Sequence, residues 1–126
     1  EADKPIDGDC KNCGKCIESC PTKALTTGDF SKCLSFITQK KGELSDFEKE
    51  QILEGRLIWG CDICNDVCPM NQTPQFSPIP EFMASVLPMM DEQLILDFLD
   101  NRPFNYRGKK TILRNYYLLN KQNSCD

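Results

Sequence analysis

The run Cys10-Lys-Asn-Cys13-Gly-Lys-Cys16-Ile-Glu-Ser-Cys20-Pro21 constrains this chain more than any other feature. Its spacing, C-x2-C-x2-C-x3-C-P, puts three thiolates on one [4Fe-4S] cube and sends the fourth across to another. A second cube is therefore expected, and Cys33, Cys61, Cys64 and Cys68 follow to complete four thiolates for each. Two residues between cysteines let a tight loop aim successive sulfurs at different irons. Gly14 is expected where backbone passes close to the inorganic core and a side chain would obstruct it. Pro21 fixes φ and removes an N–H just past the fourth ligand, turning the chain away.

Cys61-x2-Cys64-x3-Cys68-Pro69 repeats the later part of that run with one ligand displaced. Cys33 stands alone in sequence, where a cysteine is usually a buried small hydrophobe. Here the ligand count makes it the replacement. The pseudo-twofold logic of paired clusters gives a crossed assignment: Cys10, Cys13, Cys16 and Cys68 hold one cube, and Cys20, Cys33, Cys61 and Cys64 hold the other. In each half the cysteine before proline crosses over. The ninth cysteine, Cys125, is read as a spare thiol.

With 126 residues, 40% of them hydrophobic and a single Trp, the apolar core is modest, and metal ligation is expected to supply much of the folding free energy. The chain has no His, which excludes Cys/His zinc sites, Rieske centres, His acid–base catalysis and any His ligand from within it. No stretch approaches the ~20 apolar residues of a membrane span, and no signal peptide is expected. A disulfide framework fits poorly with an odd cysteine count and grouped x2 spacings, so a reducing cytoplasm is expected. Charge is uneven: residues 1–100 carry 9 Lys/Arg against 18 Asp/Glu, whereas 101–126 carry Arg102, Arg107, Lys109, Lys110, Arg114 and Lys121 against Asp126 alone. That tail is a solvated helix face or a surface that meets a phosphate backbone.

Residues 1–9 look like a linker. Thr22 to Leu25 should form a short helical turn, with a turn signal at Thr27-Gly28-Asp29. Ser45-Asp-Phe-Glu48 is a capping box opening a helix to about Glu54, with Phe47, Ile52 and Leu53 on its inner side and Gly55 as its stop. Trp59 is expected to wall a cluster off from water. Five prolines between Pro69 and Pro88 give an irregular wrap. Asp91 caps an amphipathic helix to Leu99. A last helix spans Lys109 to Lys121 with Leu113, Tyr116, Tyr117 and Leu119 close to one stripe. The expected class is α+β: a small bacterial-ferredoxin-like domain binding two [4Fe-4S] clusters over residues 1–80, and a mostly helical extension over 81–126.

Three strings together carry a family resemblance: Cys20-Pro21-Thr22-Lys23-Ala24-Leu25, Lys32-Cys33-Leu-Ser35-Phe-Ile-Thr38, and Trp59-Gly60-Cys61-Asp62-Ile-Cys64-Asn-Asp-Val67-Cys68-Pro69-Met70-Asn71. They resemble epoxyqueuosine reductase, which usually has Cys-Ile-Ser-Tyr-Leu-Thr at the middle motif and Gly-Cys-Asp-x-Cys-Gln-x-Val-Cys-Pro-Trp-Asn at the last. Arg107-Gly108, Leu113-Arg114-Asn115 and Asn120 look like the start of that family's C-terminal helical repeats. The resemblance implies a cytoplasmic, monomeric oxidoreductase of tRNA modification. It would reduce epoxyqueuosine to queuosine with cobalamin and two [4Fe-4S] clusters fed by an external electron donor. It implies the same crossed ligand sets, and it makes Ser35 and Asp62 cobalamin contacts.

Family members carry a cobalamin-binding domain before the first cysteine motif, whereas nine residues precede Cys10 here and the first is Glu1. The chain is therefore expected to be a fragment that transfers electrons but does not alone reduce substrate. Met70 replaces the usual Trp and Asn65 the usual Gln. Two other readings compete: the iron–sulfur module of another corrinoid reductase, of the reductive dehalogenase kind, and a non-redox zinc or nucleic-acid binding module.

Overall fold

The two C-x2-C-x3-C-P runs fold alike. Each wraps a single helical turn around its central cysteine: α1 (Lys15–Glu18) carries Cys16 and α5 (Ile63–Asp66) carries Cys64. Each turn ends on a residue in the right-handed helical region, Ser19 or Val67. The N–H of Ser19 donates to Lys15 O at 3.0 Å and that of Val67 to Ile63 O at 3.2 Å. The next residue is the cysteine before proline. The two turns pack against each other. Gly14 precedes α1 at φ 76°, a conformation costly for any residue with a side chain. No protein atom lies within 4 Å of where its Cβ would stand, so backbone conformation, not protein crowding, requires glycine there.

The computed structural model describes residues 10–73, 77–81 and 91–120. Between the cysteine runs lie α2 (Ala24–Thr27), α3 (Leu34–Gln39) and α4 (Asp46–Gly55). Beyond them come α6 (Glu92–Phe98) and α7 (Lys109–Asn120). Four 3-10 turns join these pieces, at Phe30–Lys32, Pro69–Asn71, Leu99–Asn101 and Pro103–Arg107. Among the described residues there is no strand, which corrects the α+β expectation to a helical one. The strand component rested on the likeness of the cysteine run. The sequence between the runs has helical spacing instead: Leu34, Ile37 and Thr38 turn one face of α3 inward.

Two small apolar cores result. Leu34, Ile37, Leu44 and Ile52 form one, with Leu57, Cys61, Leu118 and Leu119 packed on it. Ile95, Leu99 and Ile112 form the other, flanked by Ile58, Trp59, Leu113 and Tyr116. Helix α7 reaches both, so it joins the cysteine-bearing half to α6. Its inward positions are Thr111, Ile112 and Asn115. Of the expected stripe, Leu113, Tyr116 and Leu119 pack against these cores, whereas Tyr117 is 40% exposed. Tyr117 instead donates its hydroxyl to Glu92, at the start of α6.

The capping box on α4 is present: Ser45 N–H donates to Glu48 Oε2 at 2.7 Å, and Glu48 N–H to Ser45 Oγ at 3.3 Å. Ile52 is buried as expected, but Phe47 is 43% exposed. Glu48 takes the buried place and also receives Lys40 Nζ at 2.7 Å. Asp91 caps α6, accepting from Leu94 N–H at 2.7 Å. The turn expected at Thr22–Leu25 forms two residues later, as α2. Residues 1–9, most of the proline-rich stretch (74–76 and 82–90), Lys121 and Cys125 lie outside the described residues.

Gly55 ends α4 for a reason beyond capping. A Cβ there would stand 2.5 Å from Leu34 Cδ2, and Leu34 is only 2% exposed. Gly55→Ala should therefore destabilise the chain by about 1–3 kcal/mol from overpacking, although Ala gains about 1 kcal/mol of helix propensity over Gly. Denaturant unfolding of the two proteins measures the sign.

Burial pushes the Glu48 carboxyl up, but hydrogen bonds from Lys40 and Ser45 outweigh it and hold the pKa below its ordinary value. The resulting stabilisation is complete above the unfolded value of about 4.3 and is lost as pH falls through the folded value. Glu48→Gln should cost about 1 kcal/mol or more at neutral pH. That deficit should shrink as the pH is taken below about 4. Urea unfolding followed by far-UV circular dichroism across that range checks it, the cysteine loops being common to both proteins.

Candidate metal centre

The eight cysteines from Cys10 to Cys68 are all unbridged thiols. Cys10 and Cys13 are exposed, Cys20 is buried, and Cys16, Cys33, Cys61, Cys64 and Cys68 are half-buried. Helix α1 packs on both α2 and α5, and α2 packs on the Phe30–Lys32 turn that leads into Cys33. The elements that carry or flank the cysteines thus form one contiguous group.

Cys33, far from the second run in sequence, is close enough to Cys61 to influence its ionisation. Burial pushes the Cys61 thiol up; the Ile63 N–H pulls the other way, and the neighbouring Cys33, Cys64 and Asp62 charges push it further up. Cys33 and Cys64 both lie within electrostatic reach of Cys61. Cys20, the fourth, sits in a donor-rich turn. Burial opposes its ionisation, but the Leu25 N–H, the Thr22 side chain and the Ala24 and Thr22 N–H groups outweigh it, and its pKa is lowered. Thr22 Oγ1 lies 3.8 Å from Cys20 Sγ. In the other set, Asn12 N–H donates to Cys10 Sγ at 3.4 Å.

Donors aimed at sulfur stabilise thiolates and, in iron–sulfur proteins, help set the potential. A single zinc ion needs its four ligands converging at about 2.3 Å. Among the described residues no group of three or more His, Cys, Asp or Glu is spaced to hold one ion. Eight thiols, with N–H groups directed at Cys10, Cys20 and Cys61, supply what two cubes require.

The other sequence-predicted positions stand on the same elements. Ser35, in α3 two residues after Cys33, accepts a hydrogen bond from Gln39 Nε2 at 3.0 Å, and Gln39 in turn accepts from the Tyr106 hydroxyl. Asp62, exposed beside Cys61, accepts from Asn65 Nδ2 at 3.2 Å. Trp59 packs against the Ile95–Leu99–Ile112 core and meets Tyr106 edge-on, ring centroids 6.0 Å apart. Two cations of the basic tail are turned to internal use. Lys109 donates to Leu96 O at 2.8 Å and pairs with Asp100 at 2.9 Å. Arg114 Nη1 donates to Lys40 O at 2.8 Å and Gly42 O at 2.6 Å.

Thr38, Arg114 and Asn115 were not singled out from sequence as site-building residues. Asn115 is fully buried, with its amide nitrogen on Thr38 O at 2.7 Å and Ile58 O at 2.8 Å. The available signal was its place between Ile112 and Leu119 on the inward side of a helix, where a polar residue needs partners.

A helical scaffold that gathers two interleaved cysteine runs, with a lone cysteine delivered to the second, defines a paired-cluster iron–sulfur module. Residues 9–71 match the model of the 4Fe-4S double cluster binding domain, and the chain belongs to that family. It is 38% identical over 128 residues to the epoxyqueuosine reductase of Bacillus cereus, a match covering 92% of this chain and 33% of that protein. It is 37% identical over 132 residues to the epoxyqueuosine reductase of Bacillus subtilis, covering 94% and 33%. A crystal structure of epoxyqueuosine reductase with a tRNA-Tyr epoxyqueuosine-modified stem loop superposes at TM-score 0.67 with 35% identity, covering 95% of this chain and 35% of that one. Selenomethionine-labelled epoxyqueuosine reductase superposes at 0.70 with 34% identity over the same shares. The chain thus spans about a third of the length of the curated relatives it matches. The resemblance expected from the motifs is borne out. No described helix is long and apolar enough to cross a membrane.

Proposed function

We propose that this chain is the electron-transfer part of an epoxyqueuosine reductase-like oxidoreductase. The observation that carries the proposal is the packing of the two like-folded cysteine turns, α1 on α5, with α2 against the turn that leads into Cys33. Cys10, Cys13, Cys16 and Cys68 hold one [4Fe-4S] cluster, and Cys20, Cys33, Cys61 and Cys64 hold the other. When bound, the clusters supply one-electron transfer. The chain's own residues fix the eight sulfurs, direct N–H groups at them and exclude water with Leu34, Ile37 and Ile52. The exposure of Cys10 and Cys13 against the burial of Cys20 makes the first set the more solvent-accessible. Residues 1–80 form the cluster domain and 81–126 the helical extension.

In the full-length protein the electrons serve reduction of epoxyqueuosine to queuosine in tRNA, with cobalamin bound mainly by another domain. Support for a tRNA substrate comes from the solved relative bound to a modified stem loop. Ser35 and Asp62 fit a contact with the amide-rich edge of a corrin: the Ser35 hydroxyl keeps a proton to donate, and Asp62 is exposed beside Cys61. The protein acts as a monomer with an external electron donor.

Anaerobic reconstitution should give a brown chain with about eight iron and eight sulfide. A colourless chain holding about two zinc ions would overturn the redox reading. Crossing makes a further distinction. Cys20→Ala combined with Cys33→Ala should leave about four irons, since both changes strike one cube, whereas Cys33→Ala combined with Cys68→Ala should leave almost none. The reverse pattern would show an uncrossed arrangement.

A further inference from the structure

Two segments that deliver ligands to the same proposed cluster are joined far from their cysteines. Helix α3 begins at Cys33, its N-cap, and has only six residues. A helix so short has no stability of its own, and its last carbonyls have no intrahelical partners. The strand of chain entering Cys61 passes through Ile58, Trp59 and Gly60 without regular structure. Asn115 of α7 stands between them. Its Nδ2 donates to Thr38 O at 2.7 Å and to Ile58 O at 2.8 Å. Its Oδ1 accepts from Arg114 Nε at 3.1 Å and Nη2 at 2.9 Å. Both donors and both lone pairs of the amide are used.

Arg114 turns its remaining nitrogen to Lys40 O and Gly42 O, just past the end of α3. A second tie runs beside the first. Thr38 Oγ1 accepts from Gly60 N–H at 3.0 Å and donates to Ser35 O at 3.0 Å. Thr38 is completely buried, as is Asn115. Gly60 and Cys61 are adjacent in the chain, and Ser35 is two residues from Cys33. The cross-tie therefore restrains the offset between the Cys33 helix and the Cys61 loop through one direct hydrogen bond, Gly60 N–H to Thr38 Oγ1, and through the bridge that Asn115 makes to Thr38 O and Ile58 O.

We propose that Asn115, acting with Thr38, is a positioning residue for the cluster held by Cys20, Cys33, Cys61 and Cys64. The inference rests on the crossed ligand sets above. It adds that α7 sets the geometry of one cluster and not of the other. The described ties from Arg114 and Asn115 go to residues 38–42 and to Ile58, and not to residues 10–20 or 68. Outer groups that orient ligands tune a metal site's affinity and electronics. A shift in the offset of α3 against the Cys61 loop would move two of four sulfurs relative to each other.

The test uses the full chain reconstituted without oxygen, with iron and sulfide analysis, far-UV circular dichroism and a redox titration followed by electron paramagnetic resonance. Asn115→Asp keeps the shape but removes both donors. Thr38→Val keeps the shape and removes the hydroxyl, and Thr38→Ser restores it. Asn115→Asp and Thr38→Val should each fall from about eight irons to about four, or keep eight with one cluster's midpoint potential shifted and the other's unchanged. Thr38→Ser should match the parent in both readings. Loss of both clusters in step with helix signal in both variants would mean a general folding role and overturns the inference. So does retention of eight irons with both potentials unmoved. If the parent chain itself takes up no pair of clusters, the electron-transfer reading fails first, and the two failures are told apart by that control.

Discussion

Cysteine loops have little to hold them. Helices α1 and α5 are four residues each, and α1, α2 and α5 together bury one side chain, Ala24. Helices of this length do not persist alone in water. What fixes the loops is the packing of α3, α4 and α7 around Leu34, Ile37, Leu44 and Ile52, on which Cys61 rests directly. That core is small, so ligation and scaffold are expected to support each other: bound metal closes the loops, and the scaffold limits where the sulfurs can go. The dependence on such a limited core explains why a single Cβ at Gly55, aimed at Leu34, is enough to disturb it.

Much of the site was legible in the sequence because its chemistry is local. The spacing of Cys10 to Pro21 and of Cys61 to Pro69 is a record of two loops with the same geometry, and they do fold alike. The capping signals at Ser45–Glu48 and Asp91 were likewise readable, since a cap is made within four residues. The lone Cys33 was assigned by counting ligands, an arithmetic that needs no structure. What was misread depended on faces and on long-range partners. Phe47 looked like a core residue, yet Glu48 occupies the buried place because Lys40 and Ser45 satisfy its carboxylate. In the stripe of α7 only Tyr117 is exposed, and Ile112 and Asn115, which it left out, point inward. The strands expected from likeness to small ferredoxins are replaced by helices, because the residues linking the cysteine runs repeat with a helical period.

The basic tail shows why charge counts alone say little about partners. Lys109 is joined to α6 through Leu96 and Asp100, and Arg107 lies 5.0 Å from the centre of the Tyr106 ring. Arg114 points into the protein, where burial lowers its pKa and the charge of Glu48 raises it. A guanidinium placed this way serves carbonyl groups rather than phosphates. The positive field of residues 101–126 is therefore smaller at the surface than the sequence suggests, and any nucleic-acid contact must draw on the cations that remain.

Polar cross-ties in so small a core need a reason, since an apolar residue at position 115 would pack without requiring partners. Asn115 meets the requirement in full, with two carbonyls and two guanidinium nitrogens around its amide. The gain lies in direction. Apolar contact between α3, α7 and the Ile58–Gly60 segment is non-directional and holds the segments together without selecting one orientation of their polar groups. A hydrogen bond loses most of its strength when its angle or length is disturbed, and a buried one left unmade costs about 1–3 kcal/mol. One direct bond and a bridge of two more between the same pair of segments favour one offset and penalise the rest. A metal cluster held by sulfurs from both segments needs that kind of restraint, and it explains why a polar amide stands where the helical pattern calls for a hydrocarbon.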